Sequence, residues 1–159
     1  MDQQERRCKA IKMLRDYKSN MAAIQTFRID LQTLDALMIN NNMAVTYDQP
    51  SGGQTNKVNS KVEDEVIKME QQRSWINGQI TLLQNQVDKV DIALNNMEHP
   101  YKTLLRLKYI EGKRWSEVYR LLNYSEEYIR GKMHDMALNM VTGYLFPEVH
   151  LVGIFERGQ

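Results

Sequence analysis

Apolar residues recur in a seven-residue pattern through much of the chain. Between residues 61 and 97 they follow one another in alternating steps of four and three, interrupted by a single arginine. The positions are Val62, Val66, Met69, Arg73, Ile76, Ile80, Leu83, Val87, Val90, Leu94 and Met97. This period predicts a long α-helix with a narrow apolar seam, which needs a facing helix to cover it in water.

The same spacing predicts an earlier long helix over residues 3–39. Its apolar positions are Ala10, Met13, Tyr17, Ile24, Phe27, Leu31, Leu34 and Met38. The Asn-rich segment 40–60 contains Pro50 and a glycine pair, which predict that the first helix stops and a flexible loop follows. Residues 1–98 are therefore predicted to form a helical coiled-coil stalk. The pattern allows a hairpin within one chain or pairing with another chain.

Proline and glycine delimit a shorter helix after the stalk. The residue before proline avoids the helical region, so His99-Pro100 predicts the end of the stalk. Residues 101–111 form a predicted lead helix, and Gly112 is a suitable C-terminal cap for it. This boundary separates the stalk from a small domain at residues 99–141, followed by a short, apolar and partly extended tail at 142–159.

Two further helices are predicted in this small domain. Asn123 tolerates a left-handed backbone and can end a helix over residues 115–122, and Ser125 can cap the next helix. The predicted apolar face of that second helix is Ile129, Met133, Met136 and Met140. Its polar face is Glu127, Arg130, Gly131 and His134. Two helices joined by a short turn, with the second polar outside, are typical of a helix-turn-helix.

Positive charge is concentrated in the same region. Residues 101–134 hold eight Lys or Arg and four Glu, a net charge of +4, whereas the whole chain carries +1. A basic region on such a motif favours binding to DNA phosphates.

The segment LKYIEGKRWSEVYRLLNYSEEYIRGKMHDMAL resembles the helix-turn-helix of sigma-factor region 4 and, more closely, the ArpU/RinA-type phage late-gene transcriptional regulators. The resemblance is carried by the run 107–112, Trp115, the turn 122–125, His134 and the pair Ala137-Leu138. It implies sequence-specific binding of double-stranded DNA and regulation of phage late genes in the cytoplasm of a bacterial host. Contact with the host RNA polymerase is a further expectation.

In a helix-turn-helix, the exposed early residues of the second helix face the major groove. The candidate DNA-binding residues are Ser125, Glu127, Tyr128, Arg130, Gly131 and His134 for the groove, and Lys113, Arg114, Arg120 and Lys132 as further basic contacts. Arg130 is the best candidate for reading a base, because its planar fork can bind guanine. We also expect a homodimer or a higher homo-oligomer.

No catalytic constellation stands out. The three histidines are far apart, and the single Cys8 has no evident partner. We therefore expect a non-enzyme without metal or cofactor. The N-terminal residues lack a signal peptide and no run could span a membrane, so we expect a cytoplasmic protein without a membrane partner. The alternative functions are a structural or adaptor coiled-coil protein and a small-terminase-like DNA-packaging protein.

Overall fold

A computed structural model of the chain describes residues 2–47 and 56–147, and it describes side-chain surroundings for residues 2–40 and 63–147. All regular structure within these ranges is helical, which confirms the predicted all-α class. The predicted break at Pro50 and the predicted extended segment near residue 150 lie outside the described residues.

Two long helices lie within the first 95 residues of the chain. Helix α1 spans Gln3–Tyr47 and helix α2 spans Asn56–Asn95. Both predicted boundaries facing the loop were wrong, because α1 continues through the Asn-rich segment and α2 begins before residue 61. Asparagine lowers helix stability by less than about 1 kcal/mol per residue relative to alanine, so a run of it does not by itself end a helix.

One of two compact units, residues 19–85, contains the facing parts of α1 and α2. Arg28 Nη2 donates to Gln84 Oε1 at 3.4 Å, and Asp35 forms a 2.9 Å ion pair with Arg73. The partner numbers fall in α2 as they rise in α1, so the helices are antiparallel and pair within one chain. Arg73, the polar interruption of the seam, remains exposed beside its carboxylate partner.

The apolar seam of this unit is covered unevenly. Ile24, Leu34 and Ile76 are buried, whereas Ile80 and Leu83 are half-buried. Two helices can cover a seam on one side only, and the flanks of the contact stay open to solvent. The heptad positions were therefore predicted correctly as the contact face, but the depth of burial differs along it.

The second compact unit combines residues 1–18 with the chain from residue 86 onward. Its core residues are Ala10, Leu14, Val90, Ala93, Leu94, Met97, Leu104, Leu105, Tyr109, Ile110, Val118, Leu122, Ile129, Met133, Ala137, Leu138, Val141 and Leu145. The predicted division at residues 98 and 99 is therefore not a boundary between compact units. The ends of α1 and α2 contribute side chains to the same core as the C-terminal helices.

Three further helical stretches complete this unit. The lead helix consists of α3, Tyr101–Leu105, and a π-helical turn, Arg106–Ile110. Helix α4 spans Trp115–Leu122. The C-terminal helix (residues 126–145) consists of α5, Glu126–Tyr128, a π-helical turn, Ile129–Met133, and α6, His134–Leu145.

The predicted start of the C-terminal tail at residue 142 was wrong. Residues 142–145 continue α6, and Thr142 and Leu145 are buried. Val141 and Leu145 of α6 are thus part of the helical core, whereas Tyr144 is exposed.

Polar contacts tie α1 and α2 into this unit. Tyr17 donates to Asp91 Oδ1 at 2.8 Å, and Arg7 forms a 2.8 Å ion pair with Asp135 of α6. The latter contact joins the start of α1 to the C-terminal helix. Among the described residues, no helix is long and apolar enough to cross a membrane.

Candidate DNA-binding surface

Helix α4 is fixed at its start by two local contacts. Gly112 adopts φ +68, and the following Lys113 N–H donates back to Leu107 O at 2.9 Å, which closes the lead helix. The Arg114 N–H then donates to Glu117 Oε2 at 2.9 Å, so the glutamate satisfies a free amide in the first turn. The prediction that Gly112 caps the lead helix is confirmed.

The turn after α4 has the conformation predicted for it. Asn123 lies in the left-handed region at φ 59 and ψ 38, and its N–H donates to Tyr119 O at 2.9 Å. Ser125 is extended, and its hydroxyl accepts from the Tyr128 N–H at 3.4 Å. The chain therefore leaves α4 at Asn123 and starts the C-terminal helix after Ser125 with a side-chain cap.

The buried face of the C-terminal helix differs from the prediction after Met133. Ile129 and Met133 are buried as predicted, but the next buried residue is Ala137, and Met136 is 40 % exposed. The cause is the π-helical turn at Ile129–Met133, which holds more residues per turn than an α-helix. The residues of the buried face after this turn therefore lie one position later in the sequence than a period of 3.6 predicts.

Glu126 connects the two helices around the turn. Its Oε1 accepts from the Tyr119 hydroxyl at 2.9 Å and from Arg130 Nη1 at 3.1 Å. The Arg130 and Glu126 side chains are both more than half exposed. Such an exposed pair contributes about 0–1 kcal/mol, so it orients Arg130 without preventing contact with another anion.

His134 lies inside the unit. It is half-buried, and its Nε2 shares a 2.7 Å hydrogen bond with the Tyr109 hydroxyl. The Trp115 ring meets it edge-on at 5.2 Å, and the Lys108 amine lies 4.7 Å from the centre of that indole. The prediction that His134 is exposed on the outer face was therefore wrong.

The surroundings of His134 favour its neutral form. Burial lowers the pKa of His134, with a further lowering from the positive charges of Arg7 and Lys108 and an opposing effect of Asp135. Burial likewise raises the pKa of Tyr109. The pair is thus an uncharged link between the lead helix and the C-terminal helix.

The remaining predicted residues are almost all accessible. Exposed are Arg114, Arg120, Ser125, Glu127, Tyr128, Arg130, Gly131 and Lys132, which we call the candidate surface. Lys113 is half-buried, with its amine 3.7 Å from Glu111. The candidate surface combines basic side chains from α4 with polar and basic side chains from the first turns of the C-terminal helix.

Two apolar residues beside the candidate surface were not predicted. Leu121 is 55 % exposed and Tyr124 is 45 % exposed. The Tyr124 ring also lies 5.7 Å from the ring of Tyr128. The apolar period predicts burial of Leu121, because Leu121 lies three residues after the buried Val118, and this prediction is wrong.

Across residues 2–47 and 56–147, no group of three or more His, Cys, Asp or Glu is arranged to hold a metal ion.

Fold and site together define an all-α protein with an antiparallel pair of long helices and a C-terminal region in which two helices meet at a tight capped turn. The chain belongs to the family described as a protein of unknown function (DUF722), which matches residues 7–141. Searches among curated proteins and among solved structures gave no match.

Proposed function

We propose that the chain is a sequence-specific DNA-binding transcriptional regulator, in which α4 and the C-terminal helix act as a helix-turn-helix. The observation that supports this most is the turn at Asn123 and Ser125. It starts the second helix with Arg130 and Gly131 exposed on its early turns. A recognition helix contacts base edges with residues at such positions.

The candidate surface divides into two kinds of contact in this proposal. Arg130 binds a guanine through its two parallel donors, and Gly131 leaves room for the helix backbone to approach the bases. Glu127 accepts from a cytosine amine or repels phosphates and so reduces non-specific binding. Lys113, Arg114 and Arg120 bind backbone phosphates, which set affinity more than specificity.

The resemblance to ArpU/RinA-type regulators supports a finer proposal. The regulated genes are phage late genes, and the protein works as a homo-oligomer on related half-sites, with RNA polymerase of the host as a partner. A dimer would present two copies of the candidate surface about one helical turn of DNA apart, as related DNA-binding motifs do.

A gel-shift experiment tests the proposal. Restriction fragments of the protein's own genome are incubated with the full chain, with competitor DNA in excess. We expect one or a few fragments to be retained, with affinity that falls as salt rises because counterions are released from phosphates. Retention of no fragment at any salt concentration contradicts DNA binding.

A protein-docking adaptor is the second candidate function. It is favoured by the exposed apolar side chains of Leu121, Tyr124 and Tyr128, together with the two acids that open the C-terminal helix. Aromatic residues are enriched at protein interfaces, and acids near phosphates weaken DNA binding. In the gel-shift experiment, absence of any retained fragment favours this function.

A further inference from the structure

One flank of the α1–α2 pair is almost free of charge along residues 23–37 of α1 and 72–82 of α2, and Glu65 and Lys68 occupy the same repeat positions of α2 beyond this stretch. We call this stretch the uncharged flank. Its members are Ala23, Thr26, Asp30, Thr33 and Leu37 of α1 and Gln72, Trp75, Gln79 and Leu82 of α2. Five of them line a common groove with Phe27, Leu34 and Ile76. The other four follow from the seven-residue repeat.

The uncharged flank exposes large apolar side chains at its centre. Trp75 is 57 % exposed, Leu82 is 58 % exposed and Leu37 is 49 % exposed. The groove between the two helices has a volume of about 310 Å³. Trp75 stands beside it with its ring edge-on to Phe27 at a centroid distance of 5.8 Å.

Two threonine hydroxyls on this flank donate hydrogen bonds to backbone carbonyls of α1. The Thr26 hydroxyl donates to Ala22 O at 3.2 Å, and the Thr33 hydroxyl donates to Ile29 O at 3.0 Å. Both hydroxyls are therefore satisfied within α1. A surface of Leu, Trp, Thr and Gln with a single carboxylate has the low charge density of the centre of a protein interface.

The other flank of the same helix pair has a different character. It carries Arg28 bonded to Gln84, and Asp35 paired with Arg73. Within residues 23–37 and 72–82, three of the four charged residues thus lie outside the uncharged flank. The contrast points to a partner that avoids charge, which excludes DNA as the occupant of the uncharged flank.

We propose that the uncharged flank is a homodimer interface, on which the same flank of a second copy docks across a two-fold axis. A two-fold axis places a patch against itself, so a patch rich in one charge repels its copy. Among the nine residues of the uncharged flank, only Asp30 carries a charge that would repel its copy across the axis. The dimer would be a four-helix arrangement in which Trp75 and Leu82 of each copy are covered.

The size of the flank agrees with a weak to moderate dimer. Fifteen residues of helix extend about 22 Å, and two packed helices are about 20 Å wide, which gives a flat area of about 450 Å². Two such patches bury about 900 Å² in total, which lies at the low end of specific interfaces, where weak complexes bury less than about 1,200 Å². This inference does not depend on DNA binding.

The test is sedimentation equilibrium of the full chain over a concentration series, comparing the wild type with Leu82→Glu. A carboxylate at this position is buried without a partner in each half of the dimer, so we expect the dissociation constant to rise by at least about 100-fold. The matched control is Ile67→Glu, because Ile67 is similarly exposed at 54 % but belongs to a different position of the repeat on α2. We expect that variant to dimerise as the wild type does.

A second variant keeps the test independent of folding. Gln72→Glu adds a charge at an exposed polar position of the groove, and it should also weaken the dimer while circular dichroism shows unchanged helicity. A wild-type chain that shows no dimer up to about 1 mM overturns the proposal, because that result excludes dissociation constants from about 1 μM to about 1 mM. So does dimerisation of folded Leu82→Glu at wild-type strength.

Discussion

The stabilities of two variants, Asn123→Ala and Asn123→Gly, show whether the backbone at residue 123 is left-handed or continues a right-handed helix. Asn123 has φ 59 and ψ 38, a conformation that costs an ordinary L-residue about 1–2 kcal/mol and costs glycine almost nothing. The cost for asparagine lies between those of alanine and glycine, because its short polar side chain can form a hydrogen bond with the local backbone. We therefore expect Asn123→Ala to lower the free energy of unfolding by about 1 kcal/mol, and Asn123→Gly to leave it unchanged or raise it slightly.

The sign of the difference between alanine and glycine is the informative quantity. In a right-handed helix glycine is about 1 kcal/mol less favourable than alanine. Gly131 supplies a matched control, since it is exposed in the C-terminal helix and no atom lies within 4 Å of a Cβ built there. Gly131→Ala should stabilise the fold, whereas at Asn123 the glycine variant should be more stable than the alanine variant.

The assay is urea denaturation followed by circular dichroism at equal protein concentration, because oligomerisation makes stability depend on concentration. If Asn123→Ala is as stable as Asn123→Gly, residue 123 is right-handed in solution. The helix end at Asn123, which separates α4 from the C-terminal helix, would then be absent.

Two further predictions concern burial. Acidification from pH about 7.5 to about 5.5 should destabilise the fold through His134, because burial lowers its pKa and the unfolded chain takes up the proton first. This contribution to the free energy of unfolding is present above 6.5, the pKa of His134 in the unfolded chain, and is lost as the pH falls below it. In denaturation experiments, the stability of His134→Gln should depend less on pH than that of the wild type. An equal pH dependence of the two proteins contradicts the burial of His134. Ile76→Asp should destabilise by at least about 3 kcal/mol because Ile76 is 3 % exposed, and half-buried Ile80→Asp should destabilise less. Equal unfolding midpoints of these two variants would show that their burial does not differ.

Local chemistry predicted the turns and caps well. The positive φ of Gly112, the left-handed Asn123 and the Ser125 cap each follow from a property of one residue type. The heptad positions predicted the contact face of α1 and α2 for a similar reason, because the period alone selects the face. The choice between a hairpin within one chain and pairing between chains needed the structure, since both bury the same seam.

Features that depend on several elements at once were not predicted. The π-helical turns have no recognisable sequence signal, so the shift from Met136 to Ala137 could not be foreseen. His134 looked exposed on a helical wheel, and it is covered by Tyr109 and Trp115 from two other elements. The ends of α1 and α2 belong to the C-terminal core because apolar residues such as Leu14 and Val90, which precede the predicted boundary, are buried in it.

In the proposed function, the C-terminal helix reads DNA. The most direct measurement is a titration of Arg130→Ala and Lys113→Ala against the specific duplex and a scrambled duplex at one salt concentration, with Lys89→Ala on α2 as the control for loss of an exposed positive charge elsewhere. Arg130→Ala should cost about 1–3 kcal/mol on the specific duplex and reduce the preference over the scrambled one. Lys113→Ala should weaken both duplexes alike, and Lys89→Ala should bind as the wild type does. If Arg130→Ala binds both duplexes as the wild type does, the recognition-helix assignment is wrong.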